Sequence, residues 1–296
     1  MTAIQDVTQR LAPRLRGRVV RPPDADYDRA RAVWYGMIDR RPAFIVRCEG
    51  TSDVIEAVRF ARRHGLPVAV RGGGHNVAGG ATCDDGLVID LSPMRGVHVN
   101  PAARTVRAEG GVTIGDLDHE TQVFGLAVPM GVVTETGIAG LTLGGGLGWL
   151  RREYGLSCDN LISADVVTAD GRVVSTDSER HRDLLWALRG GGGNFGVVTS
   201  FEFRAHPVGP QVYFANLIHP GAQARRLLRA YREWAADAPE EISAFAILWH
   251  APADEAIPAE HHGRPVVTFA AMHSGDPDHG EAALRPLRDI GSPIAD

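Results

Sequence analysis

Apolar residues along this chain fall into short runs separated by turn residues, and the spacing of those runs predicts a mixed helix and strand architecture. Ile4 to Leu15 reads as a short amphipathic helix leading into a proline-containing segment, Arg21 to Asp28. Pro42 to Val46 reads as a buried strand. Thr51-Ser52-Asp53 offers caps to a helix with Val54, Ala57, Val58 and Ala61 on one face, and Gly65 ends it. Leu66 to Val70 is the next strand, so a β-α-β unit delivers the chain into Arg71-Gly72-Gly73-Gly74-His75-Asn76.

Beyond that point the predicted elements shorten. A strand covers Leu87 to Leu91, and a hairpin pairs Val97 to Val99 with Thr105 to Ala108 around Asn100-Pro101. Thr113 caps a helix reaching about Phe124. Asp170-Gly171 closes a hairpin between Ala164–Thr168 and Arg172–Val174. A helix around Leu184 to Leu188 then meets a glycine run and the strand Val197 to Phe203.

His206-Pro207 marks a boundary. After it come a strand over Val212 to Ile218, a helix over Ala222 to Ala236, strands near Ile242–Trp249 and Val266–Met272, and a helix from about Asp278 to Leu287. The helix stripe of Ala224, Leu227, Leu228, Tyr231 and Ala235 belongs to a core. The last residues, Gly291 to Asp296, read as a loop. The expected organisation is a 1–206 domain in two α+β parts, about 1–92 and 93–206, followed by a smaller unit over 207–296.

Composition narrows the function. A hydrophobic content of 44% with 23% charged residues is that of a soluble globular protein. A net charge of -5 offers no basic surface to nucleic acid or anionic lipid. All the basic residues other than histidine are arginine, which removes P-loop hydrolases, Schiff-base aldolases and pyridoxal-phosphate enzymes, each of which needs a lysine amine. Arginine in place of lysine also points to a GC-rich bacterial gene. Cys48, Cys83 and Cys158 are odd in number and far apart, so they read as thiols. The N-terminus shows no signal-peptide core and no apolar run is long enough to span a bilayer, which makes the cytoplasm the default location. Oligomeric state is not legible.

Three glycine clusters stand out, at residues 71–76, 137–148 and 190–196. Glycine weakens helices and strands, so dense clusters imply backbone that approaches something closely. Exposed amides in such loops form anion-binding concavities, and a dinucleotide suits them. Gly191, Gly193 and Gly196 fit the GxGxxG spacing, but a helix precedes them and a strand follows, the reverse of a Rossmann site. His75 follows the first cluster where a ligand would lie; taken alone, it reads more readily as a loop hydrogen-bonding residue.

Arg71 to Asn76, then Gly131-Val132-Val133-Thr134-Glu135-Thr136-Gly137-Ile138-Ala139-Gly140, then Tyr154 to Leu161, and finally Trp186 to Gly196 together resemble the berberine bridge enzyme-like FAD-linked oxidases of the p-cresol methylhydroxylase-type FAD-binding superfamily. The resemblance is close from about Arg40 to Val208. It implies an α+β fold in which two subdomains clasp FAD and a third domain, incomplete here because the sequence ends at Asp296, supplies an antiparallel sheet. In that case Val266 to Met272 would leave an unpaired strand edge. The resemblance further implies that His75 is joined to the flavin 8α-methyl, that Arg71, Gly72, Gly73, Gly74 and Asn76 frame it, and that Gly131, Val132, Thr134, Gly137 and Gly140 lie along the cofactor. Val198 matches a residue whose backbone meets the flavin nucleotide. Val133 stands where many relatives place a cysteine that makes a second flavin bond, so one bond is expected. Cys158 reads as packed. The implied reaction takes a hydride from a small organic substrate, with molecular oxygen as acceptor. No residue is assigned as base: Tyr213, Trp249 and His250 are available, yet each reads more readily as packing or surface. A truncated flavin-binding module without turnover and a MurB-like reductase are the alternatives; His75 argues against the latter, which holds FAD without a covalent bond.

Overall fold

The computed structural model describes residues 7–296. They divide into two compact units, one built from residues 7–148 and Leu156–Pro207, the other from Trp149–Gly155 and Val208–Asp296. Of the expected N-terminal helix, Ile4 to Asp6 lie outside the described residues. Its remainder is a π-helical turn, Val7–Leu11, followed by a 3-10 turn, Ala12–Arg14. Pro13 lacks the N–H that a regular helix would need there.

The first unit contains two sheets. Strands β1 (Arg18–Val20), β2 (Phe44–Arg47), β3 (Val68–Arg71) and β4 (Leu87–Asp90) form one, in the order β1-β2-β4-β3. β1 pairs antiparallel to β2, while β2 and β3 flank β4 in parallel. The helix Thr51–His64 joins β2 to β3 and ends, as expected, on Gly65 in the left-handed conformation at φ 61°. Its start differs from expectation, since Gly50 occupies the N-cap. Asp53, fully buried one turn in, instead accepts the backbone N–H groups of Arg16, Gly17 and Glu49 at 2.9–3.0 Å and so fastens the N-terminal segment to the helix.

The second sheet is antiparallel throughout. It comprises β5 (Val97–Asn100), β6 (Thr105–Glu109), β8 (Leu161–Val167), β9 (Val173–Thr176) and β10 (Val197–Arg204), ordered β5-β6-β10-β8-β9; the two-residue β7 (Leu126–Ala127) pairs separately with β11 (His206–Pro207). The helix Ile114–Gln122 opens on a capping box in which Thr113 and Asp116 bond reciprocally. Val106, Ala108, Leu117, Val166, Phe201 and Phe203 lie at the centre of its core. Val167 and Val197 also enter the core of the first sheet, which joins the two halves.

That capped helix carries Asp118, whose carboxyl burial pushes up to about 6 by penalising the charged form. The proton is favoured by the folded chain, so this group's stabilisation is complete below its ordinary pKa of 3.8 and is lost as pH rises through about 6. Asp118→Asn is therefore expected to stabilise the protein by about 1–2 kcal/mol at pH 8, by about half of that at pH 5 and not at all below about pH 4, measured by thermal melts across this range.

The second unit is an antiparallel sheet of β12 (Tyr213–Pro220), β13 (Ile242–His250) and β14 (Pro265–His273) in the order β12-β14-β13. The helices Ala224–Asp237 and Pro277–Arg288 bury Leu227, Leu284 and Leu287 against Ala215, Leu217 and Phe269. The expected unpaired edge at Val266–Met272 is overturned: β14 is central, and β12 and β13 are its two neighbours. The physical reason is legible in β14 itself, where every residue after Pro265 is buried, as in a strand covered on both faces. The tail also departs from a free loop, because Ile294 N–H donates to Ile218 O at 2.7 Å and Ile218 N–H to Ala295 O at 2.9 Å. Trp149 to Gly155 belongs to this unit through Arg151, which donates to Ala244 O at 2.8 Å, and Arg152, which donates to Ile242 O and Ala238 O. Among the described residues no helix is long and apolar enough to cross a membrane.

Candidate functional site

Parallel pairing aligns the ends of three strands in the first unit. Arg47 of β2 and Arg71 of β3 both stand opposite Asp90 of β4. Asp90 is fully buried. Its carboxylate accepts Arg71 Nη2 at 2.7 Å, Arg71 Nε at 3.3 Å and the Ser92 N–H at 3.0 Å, and Arg47 Nε stands 3.4 Å away. A buried carboxylate between two guanidiniums is thus fixed at the carboxyl ends of the strands, where open α/β sheets bind ligands.

The chain leaves β3 into the glycine loop beside this row. The Arg71 guanidinium also donates to Ala30 O and to Ala32 O, the latter at 3.2 Å, and Trp34 N–H donates to Gly74 O at 3.2 Å. The segment 30–34 is thereby strapped across Gly72 to Gly74. A β-carbon on Gly73 would stand 2.2 Å from the Gly137 nitrogen, and one on Gly137 would stand 2.2 Å from the Gly73 nitrogen. The first two glycine clusters therefore meet backbone to backbone, an approach that any side chain would block. Gly74 adopts φ 73°, which favours glycine.

His75 projects next to this junction. Its Nδ1 lies 3.4 Å from Thr136 Oγ1, and its ring stacks on Trp34 with centroids 5.2 Å apart and planes 19° apart. Asn76 Oδ1 accepts the N–H groups of Ala78 and Gly80 at 3.0 and 3.1 Å, which folds the chain away from the histidine. The amides of Gly73, Gly74 and His75 have no protein acceptor among the described residues. Gly73 and Gly74 border a cleft of about 500 Å³ that is also lined by Trp34, Arg47, Arg95, Gly111, Thr113 and Glu135, and His75 is the next residue of the chain.

The remaining expected residues are distributed unevenly. Thr134 accepts the Gly115 N–H through its carbonyl at 2.9 Å, while its hydroxyl donates to Glu135. Val132 and Val133 are exposed on the same segment. Gly131 packs internally, since a β-carbon there would come within 2.8 Å of Leu141 Cδ1; Gly140 has open space around it. Val198 is buried in β10, and Gly110 approaches its carbonyl so closely that a β-carbon on Gly110 would lie 2.6 Å away. The third cluster serves packing: Gly192 N–H donates to Leu143 O at 2.8 Å, and Gly196 lies against Val167 O. Cys158 is buried, and desolvation raises its thiol pKa. In the second unit, Tyr213 packs in the core beside Gly280 and Trp249 Nε1–H donates to Thr268 Oγ1 at 2.8 Å, whereas His250 is exposed. Sequence reading missed Trp34, Asp90, Arg47 and the Gly110–Gly111 pair. Only the paired glycines carried a signal, that of close backbone approach after a strand.

The cleft suits FAD in two respects. Free amides and nearby arginines suit a pyrophosphate, and the volume is that of a cofactor site. Among the described residues no group of three or more His, Cys, Asp or Glu side chains is arranged to hold a metal.

Comparison with known proteins is consistent with that fit. An FAD binding domain family matches residues 42–177. (R)-6-hydroxynicotine oxidase of Paenarthrobacter nicotinovorans is 35% identical over 290 residues, covering 95% of this chain and 60% of the relative. An FAD-linked oxidoreductase of Dictyostelium discoideum is 36% identical over 263 residues, covering 88% of this chain and 54% of the relative. Among solved structures, 6-hydroxy-D-nicotine oxidase from Arthrobacter nicotinovorans superposes with a TM-score of 0.86 at 33% identity, covering 95% of this chain and 61% of that one. BBE-like 1 of Physcomitrella patens gives 0.85 at 25% identity, covering 100% and 61%. The chain thus spans about three fifths of the length of the relative that it matches over most of its own length.

Proposed function

We propose that this chain is one of the berberine bridge enzyme-like FAD-linked oxidoreductases, that its first unit holds FAD covalently through His75 and that the protein oxidises a small organic substrate. The observation that supports this reading is the junction of Gly73 with Gly137, which brings the first two glycine clusters together beside a cleft lined by Gly72, Gly73 and Gly74, with His75 next in the chain.

In this reading residues 1–206 form the FAD-binding domain, in two parts near 1–92 and 93–206, and residues 207–296 form part of a substrate domain. The amides of Gly73, Gly74 and His75 face the pyrophosphate. Arg71 acts one step back, since its guanidinium is committed to Asp90 and the strap, and so it holds Gly72 to Gly74 in register. Asn76 shapes the loop exit. Gly131, Val132, Thr134, Gly137 and Gly140 run along the cofactor, and the backbone of Val198 borders it.

The geometry at His75 supports a particular nitrogen. With the proton on Nδ1, that N–H donates to Thr136 Oγ1, and the lone pair on Nε2 is left free to form the bond. Val133 and the buried Cys158 support a single attachment. Bound FAD supplies a two-electron acceptor for a hydride leaving a carbon that bears oxygen or nitrogen. The similarity to (R)-6-hydroxynicotine oxidase supports an amine-bearing carbon, with molecular oxygen as the final acceptor.

Acid precipitation tests the assignment. Yellow colour is expected to stay with the wild-type pellet, whereas His75→Ala is expected to release its flavin to the supernatant. Mass spectrometry of the proteolysed flavin peptide should find His75 modified and Cys158 unmodified. Wild-type protein that loses all its flavin on precipitation would overturn the covalent bond.

A further inference from the structure

Burial in a core does not account for the position of Trp34, which lines the cleft. Its side chain is 63% exposed, in a chain whose core contains many better-buried sites. Two things nevertheless hold it in place. Its backbone N–H donates to Gly74 O at 3.2 Å, and the residues before it are tied to Arg71 through the carbonyls of Ala30 and Ala32. Arg71 is fixed in turn by buried Asp90. The strap therefore transmits the position of the sheet to an indole lying almost parallel to the His75 ring.

We propose that Trp34 is a positioning residue for flavin attachment: its indole packs one face of the His75 imidazole while Thr136 holds the Nδ1 edge, so that Nε2 is presented to the cofactor in one orientation. This rests on the covalent reading above. An imidazole on a free side chain samples several rotamers, and confining it to the reactive one removes that search from the barrier. Trp34 itself forms no bond. The bond that forms joins Nε2 to the flavin 8α-carbon. The C–H of the methyl group and the Nδ1–H are given up as protons, and the tautomer that remains carries its double bond to Nδ1. The electron pair of the broken C–H bond reduces the flavin by two electrons, which molecular oxygen then removes to give hydrogen peroxide.

Apoprotein incubated with FAD in air reports the rate as the growth of acid-stable flavin fluorescence. Trp34→Ala and Trp34→Leu are expected to slow attachment about tenfold, and Trp34→Phe to restore most of it. Thermal melts should be unchanged in all three, because the residue is exposed. A second readout needs no flavin: the His75 Cε1–H proton signal in the apoprotein should lie upfield through the indole ring current and move downfield in Trp34→Ala and Trp34→Leu. Attachment in Trp34→Ala at the wild-type rate, or a His75 signal that does not move, overturns the proposal. Wild-type protein that gains no acid-stable flavin, like His75→Ala, instead overturns the covalent reading and takes the role of Trp34 with it, even where the ring-current shift is present.

Discussion

Asp90→Ala is expected to cost about 3–5 kcal/mol of folding stability and to abolish FAD retention. Asp90 is fully buried at the end of an inner strand of its sheet and accepts three hydrogen bonds, two of them from Arg71. Its removal leaves the Arg71 guanidinium facing Arg47 with no counter-charge, and a lone charge in a buried site is penalised more than an absent pair. The damage also spreads to the cleft, because Arg71 is the link between the sheet, the strap at Ala30 to Ala32 and the glycine loop. Chemical denaturation and flavin content after gel filtration measure the two effects separately. Asp90→Asn keeps the shape and part of the hydrogen bonding, so it is expected to fall between wild type and Asp90→Ala. A variant as stable as wild type would show that the buried carboxylate is not the anchor of the loop.

Gly73→Ala is expected to weaken FAD binding by about 10- to 100-fold, equivalent to about 1.4–2.8 kcal/mol. The new methyl would lie 2.2 Å from the Gly137 nitrogen, 2.7 Å from its Cα and 3.2 Å from Glu135 O, all of them backbone atoms that cannot rotate away. The loop must separate from the 135–137 segment, which moves the free amides and His75 together. Gly193→Ala is the matching control: it lies in the third cluster with nothing within 4 Å of its β-carbon, and no loss of FAD is expected. Equilibrium titration of each apoprotein with FAD, before attachment proceeds, provides the comparison. Equal affinities for the two variants would remove close backbone approach as the reason for the Gly73–Gly137 junction.

The two glycine positions show how far a sequence can be read. Both clusters were visible as backbone that must come near something, yet nothing in the chain says that Gly73 and Gly137 come near each other. The distinction matters for Arg71 as well. Its place at the start of the loop suggests contact with phosphate, while the parallel register turns its guanidinium toward Asp90, nineteen residues away. In the second unit the apolar run from Val266 to Met272, interrupted by Thr268 alone, already carried the signature of a central strand. Reading it as an edge gave weight to its place near the end of the chain, which does not set its place in a sheet.

Local physics accounts for what the sequence determined by itself. Apolar period, capping residues and turn glycines act between neighbours a few residues apart, and they specified most of the longer helices and strands, including the Thr113 cap, the Gly65 stop and the hairpins at Asn100-Pro101 and Asp170-Gly171, but not β1, β7, β11 or the short helices Tyr27–Arg31, Ile138–Leu143 and Arg151–Tyr154. The motif residues around His75 and the family they indicate were legible for the same reason, being contiguous. Tertiary structure alone decided which of these meet. It set Arg47 and Arg71 on either side of Asp90, closed Gly73 against Gly137, strapped Trp34 over His75 and drew Trp149–Gly155 into the second unit. Each of these pairings spans many residues of sequence and depends on strand register and close packing, which no local pattern encodes.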